Sequence, residues 1–151
     1  MPKENTHLYF ADNICKEIDN GEFIKIIAKH RNLFYLGSFF PDVFFYSKHD
    51  RIKEFGHFIH GRDGNLTNEL IFNLLDNAKD KKSEPDLIFT LGVLAHFALD
   101  ITFHPIINYL SHDPSDYNRE LYLHHHYETL LDSIVNGKFY FYKIINFKAL
   151  N

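Results

Sequence analysis

Histidines and carboxylates recur at helical spacing in two stretches of this chain. In the first, LGVLAHFALDITFHP, His96, Asp100 and His104 stand at i, i+4 and i+8. Residues four apart share one face of a helix, with Cβ atoms about 5 to 6 Å apart, so His96 and Asp100 can chelate one ion. His104 lies about 12 Å from His96 along the axis, which puts the two histidines on different metals with Asp100 as a possible bridge. In the second stretch, LYLHHHYETLLDSIV, His124 and Glu128 repeat the i, i+4 arrangement. They share a stripe with Leu121, Leu131 and Val135, so this pair faces the interior. Buried ionisable groups need partners, and metal coordination or a hydrogen-bonded ion pair would satisfy them. Only the metal explains why His and carboxylate recur on two core-facing helices. His125 and His126 turn around the helix by about 100° per residue, and at least one is a surface group.

The elements that must hold these groups are helices. Several stretches show the 3.6-residue period with helix punctuation and none shows sustained alternation, which predicts an all-α multi-helix bundle. Thr6 is placed to cap a first helix to about Ile18, closed by Asn20-Gly21, and a second runs from Glu22 to about His30. A loop region follows. The apolar run from Leu33 to Phe45 is interrupted by Gly37 and by Pro41, which predicts a bend near Pro41-Asp42 that presents Asp42 among apolar neighbours. Phe39, Phe40, Phe44 and Phe45 in that run are core material, with a lipid-contacting mouth as the alternative. Thr67 is placed to cap a helix bearing Leu70, Ile71, Leu74 and Leu75. Ser83 and Asp86 have capping-box-like spacing around Pro85 and open the most apolar helix, to about Phe103, where Pro105 helps to stop it. Asp113-Pro114 opens a last helix to Val135, ended by Asn136-Gly137. The segment 138–151 reads as a further helix or a strand-like arm, and its abrupt end is consistent with truncation.

At 151 residues the chain is expected to form one domain over 1–151. A net charge of -4 argues against a stable nucleic-acid partner. Cys15 is the only cysteine, which excludes an intrachain disulfide and a thiolate metal cluster. No apolar leader follows Lys3, so a cytoplasmic location is expected. Ile88 to Leu110 is apolar, but it carries His96, Asp100 and His104, which argues against a transmembrane segment.

Taken together, Leu36-Gly37-Ser38-Phe39-Phe40-Pro41-Asp42, His96-Phe97-Ala98-Leu99-Asp100 with His104-Pro105, and His124-His125-His126-Tyr127-Glu128 resemble the bacterial zinc-dependent phospholipase C family, whose fold is shared with fungal single-strand nucleases. The resemblance implies a helical bundle with a metal cleft holding two or three zinc ions. It implies that His96, Asp100, Asp42 and either His60 or His57 hold one zinc, and that His104, His124 and Glu128 hold a second. His7 would serve a third, with Asp100 bridging. The secreted enzymes use the amine and carbonyl of a processed N-terminal residue there, whereas this chain begins Met-Pro. The implied activity is hydrolysis of a phosphodiester, phospholipid first, with Asp42 as general base or water-orienting carboxylate. The alternatives are a helical protein that binds metal without turnover, a nuclease, or a phosphohydrolase of the HD type, whose adjacent dyad occurs as His49-Asp50 and His112-Asp113.

Overall fold

The computed structural model describes residues 3–64 and 66–139, and among them there are seven α-helices and no strand. They are α1 (Glu4–Glu17), α2 (Gly21–Lys29), α3 (Arg31–Val43), α4 (Asp50–Ile59), α5 (Thr67–Asp80), α6 (Glu84–Ser111) and α7 (Tyr117–Phe139). Short 3-10 turns follow α3 and α4. The bundle is organised around α6, which packs most extensively on α3 and also meets α1, α2, α5 and α7. An internal helix is apolar around much of its circumference. α6 accordingly buries Ile88, Val93, Phe97 and Leu99 on different sides, together with His96 and Asp100. By length and composition alone α6 could cross a bilayer, yet half of its most apolar window is buried inside the protein.

The α3–α6 contact is set by two glycines. A Cβ on Gly92 would lie 2.2 Å from the Phe34 carbonyl oxygen, and one on Gly37 would lie 2.2 Å from that of Phe89. The helices therefore touch backbone to backbone. One apolar cluster, including Leu8, Ala11, Ile27, Phe34, Ile88 and Val135, ties α1, α2, α3, α6 and α7 together. A second joins Ile71 of α5 to Val93 and Phe97 of α6.

Both proline readings need correction. α3 continues through Pro41 to Val43, and α6 continues through Pro105 to Ser111. Proline removes one amide donor, which a helix tolerates where the freed carbonyl finds another partner. Pro41 falls in the last turn, where few helical bonds remain to be lost. Pro105 strips the partner from the carbonyl of Ile101, on the solvent side of α6, where water can replace it.

The expected loop after His30 is helix from Arg31 onward, and α4 was not foreseen. Thr6 lies inside α1, whose first turn is instead capped from α7: Asp132 accepts from the Thr6 amide at 3.0 Å and the Asn5 side chain at 2.7 Å. Thr67 is the first helical residue of α5 and makes no side-chain cap. The Ser83 hydroxyl does accept from the Asp86 amide. Asp113 holds the preceding turn through Ser115, while Asp116 caps α7 by accepting from Asn118 and Arg119. α7 runs past Asn136-Gly137, and the expected arm beyond Phe139 lies outside the described residues.

Asp12 ties α1 to α3, accepting from Arg31 and the Tyr35 hydroxyl, each at 2.8 Å, with Lys16 at 2.7 Å. Burial pushes its carboxyl up, but Lys16, Tyr35 and Arg31 outweigh that and hold it below the ordinary value of 3.8. A depressed folded-state pKa contributes stability that is present above the unfolded value and lost as the pH falls through the folded one. Asp12→Asn should therefore lower Tm at neutral pH and flatten its further decline below about pH 4, read by calorimetry across an acid series. Gly92→Ala should cost about 3 kcal/mol or more by overpacking, while Gly21→Ala, with nothing within 4 Å of its added Cβ, should stay within about 1 kcal/mol in urea titration.

Candidate metal centre

At the α3–α6 crossing the close approach brings a backbone carbonyl to a buried imidazole. His96 Nδ1 lies 3.0 Å from the Ser38 carbonyl oxygen. Just past the end of α4, His60 Nδ1 lies 2.6 Å from the Gly56 carbonyl oxygen. A carbonyl only accepts, so both Nδ1 atoms carry the proton and donate it. The other nitrogen of each ring, Nε2, lies on the far side, where it can offer a lone pair to a metal. Those Nε2 atoms face each other at 3.2 Å. Around them stand two carboxylates: Asp42 Oδ1 is 3.3 Å from His60 Nε2, and Asp100 Oδ2 is 3.3 Å from His96 Nε2. His7 of α1 completes the cluster, stacked on His96 with ring centroids 4.1 Å apart and its Nε2 3.5 Å from Asp100 and 3.6 Å from Asp42.

The second set lies where α6 meets α7. His104, His124 and Glu128 bring one ligand atom each within 4.8 Å of the others. His124 Nε2 is 2.9 Å from Glu128 Oε1, and His125 Nδ1 approaches Glu128 Oε2 at 3.5 Å. Two further triplets meet the same distance limit, His7-His96-Asp100 and Asp42-His60-His96. His96 and Asp100 thus lie on one side of the cluster and His104 on the other, as the i, i+4, i+8 spacing requires.

The electrostatics favour a cation. Both ring nitrogens of His7, both oxygens of Asp100, Asp42 Oδ1 and His104 Nε2 are buried without a hydrogen bond. Burial first, then the neighbouring His96, drives the His7 pKa well below its ordinary value. Burial likewise lowers His104, and it brings His124 down to about 4. Burial pushes the Asp100 carboxyl up, but His96, with His7 and His104, holds it below its usual value. Neutral imidazoles beside ionised carboxylates are the protonation states that zinc and similar ions take as ligands. The donor set therefore fits zinc, with nitrogen and oxygen donors throughout.

Asp42 and His60 of the first set and His104, His124 and Glu128 of the second line a cleft of about 430 Å³ that is also lined by Lys3, Phe45, Tyr46, His57 and His125. His57 stands apart from the triplets and packs its ring on Phe45, centroids 5.0 Å apart. The dyads lie elsewhere: His49 and Asp50 are exposed at the start of α4, and exposed His112 stands 3.5 Å from Glu120. His126 is exposed and stacks on Tyr122. The carbonyls of Ser38 and Gly56 were not anticipated, because a backbone acceptor leaves no mark on residue type. Gly37 beside Ser38 was the available signal, since a glycine within an apolar helix marks close approach.

Residues 6–150 match the family described as zinc dependent phospholipase C. No curated protein and no solved structure matches the chain. The match spans the described ligand sets of α1, α3, α4, α6 and α7, whose nitrogen and oxygen donors suit the metal in the family's description. The chain belongs to the zinc-dependent phospholipase C family.

Proposed function

We propose that this protein hydrolyses the phosphodiester of a phospholipid in the manner of a phospholipase C, with His60, His96, Asp42 and Asp100 holding one zinc and His104, His124 and Glu128 a second. His7 and Asp100 would hold a third. The observation that carries this reading is the pair of Nε2 atoms facing each other at 3.2 Å beside Asp42 and Asp100. Such a cluster is repulsive unless a cation neutralises it. Of the two upstream histidines, His60 suits the ligand role because its Nδ1 proton is already committed to Gly56, which leaves Nε2 for metal.

Bound zinc supplies Lewis-acid polarisation of the phosphodiester and a hydrolytic water at neutral pH. Asp42 lies on the cleft wall with its Oδ1 3.3 Å from His60 Nε2, and it is the general base. It takes a proton as water oxygen attacks phosphorus and the bond to the diacylglycerol oxygen breaks. A proton returns to that oxygen, leaving diacylglycerol and a phosphorylated head group. Phe45 and Tyr46 give the cleft an apolar flank for the lipid side of the scissile bond.

Protein purified without nickel columns should carry two or three zinc ions per chain by elemental mass spectrometry, and less than one after zinc supplementation would overturn the metal assignment. His60→Ala should lose zinc, whereas His57→Ala should keep it. Asp42→Asn should retain helix content and lower turnover of a soluble short-chain phosphatidylcholine at least about 100-fold. Full zinc occupancy with no turnover of any phosphodiester by the wild type would leave a structural metal protein.

A further inference from the structure

Of the described lysines and arginines, only Lys3 lines the cleft, where it is half-buried. Its backbone is fixed. The Lys3 carbonyl accepts from the Thr6 amide at 3.0 Å and from the His7 amide at 3.2 Å, so the residue opens α1 one turn before His7. The bonds from Thr6 and Asn5 to Asp132 hold the same turn. The ammonium, by contrast, is uncommitted. The two carboxylates that line the cleft turn to imidazoles, Asp42 to His60 at 3.3 Å and Glu128 to His124 at 2.9 Å. Glu4, the next residue in the chain, accepts from the Tyr46 hydroxyl. Among the described residues none pairs with Lys3, whereas Lys16 and Arg31 pair with Asp12 and Lys29 pairs with Glu84. Lys3 is therefore not the counter-ion of the buried carboxylates.

Metal loading makes the cleft positive. Two divalent ions carry more charge than the three carboxylates that would hold them, Asp42, Asp100 and Glu128, and Lys3 adds to the excess. A lysine ammonium is a compact point charge that takes phosphate oxygen as its partner. A cationic head group finds no free carboxylate on this wall, because Asp42 and Glu128 belong to the ions and Glu4 to Tyr46. It meets like charge at Lys3 instead. The rings of Phe45 and Tyr46 attract a quaternary ammonium, but a full charge outweighs a ring quadrupole. A head group without a cation meets no such repulsion and leaves the phosphate oxygens to the ammonium.

We propose that Lys3 is a specificity-determining residue that directs the cleft to phospholipids whose head group carries no cation, phosphatidylglycerol over phosphatidylcholine. This rests on the phospholipid reading of the cleft, and binding of the head-group products tests it apart from hydrolysis. Short-chain phosphatidylglycerol and phosphatidylcholine are compared as soluble monomers on the zinc-loaded protein. The wild type should favour phosphatidylglycerol about tenfold or more in kcat/KM, the difference lying in KM. Lys3→Glu should remove or reverse that preference by raising KM for phosphatidylglycerol, and Lys3→Arg should keep it. The effect of Lys3→Glu should shrink as salt rises. Helix content and zinc content should match the wild type in both variants. In calorimetry the zinc-loaded wild type should bind glycerol phosphate more tightly than phosphocholine, and Lys3→Glu should lose the difference. A wild type that favours phosphatidylcholine or treats the two alike, a Lys3→Glu variant that loses both substrates equally, or zinc lost with Lys3 would each overturn the assignment. Turnover of neither lipid, with glycerol phosphate still preferred through Lys3, would refute the hydrolase reading and leave the Lys3 assignment standing.

Discussion

Two helix backbones can approach to contact only where neither presents a side chain, and Gly37 and Gly92 satisfy that condition where α3 crosses α6. The rest of the centre depends on this approach. It brings the Ser38 carbonyl to His96 Nδ1, which fixes the ring and leaves Nε2 turned toward Asp100 and Asp42. It also carries Asp42, four residues on from Ser38, to the same side of α6 as Asp100. A methyl group at either glycine would separate the helices, and the two carboxylates would no longer converge. Packing and chemistry are therefore one constraint here.

The centre opposes the stability of the fold that builds it. Carboxylates and imidazole lone pairs gathered in a buried site repel and lose hydration, and the surrounding bundle must hold them together. The supports are visible around the cluster. The Asp132 cap fixes the start of α1 and with it His7, and the Asp12 network joins α1 to α3. Metal binding reverses the sign of the local energy, so the cluster that strains the metal-free protein would stabilise the loaded one.

α4 links this interior to the surface. One side closes the cleft with His57 and His60, and the other carries Phe55 and Phe58 in contact with Phe44. This short helix and the residue that ends it thereby connect a candidate ligand to exposed aromatic side chains. It was also the helix the sequence hid best. Its apolar residues Ile52, Phe55, Phe58 and Ile59 share one side of the axis, but no side-chain cap at His49 marks its start, so its boundary goes unannounced.

Residue type and local periodicity determined the helical class of the protein, the i, i+4 pairing of His96 with Asp100 and of His124 with Glu128, and the Ser83 cap. Each of these depends only on neighbours within a turn or two. Local signals misjudged Pro41 and Pro105, because a proline ends a helix only when the carbonyl it strips has no other partner, and its surroundings decide that. They also could not choose between His57 and His60, three residues apart on one short segment. Tertiary structure distinguishes them: His60 donates its Nδ1 proton to Gly56 and turns Nε2 to His96 and Asp42, while His57 rests on Phe45. Spacing along a helix states which side chains share a face, but convergence of groups from α1, α3, α4 and α6 on one point is set by how closely those helices cross, and that distance is a property of the packed core alone.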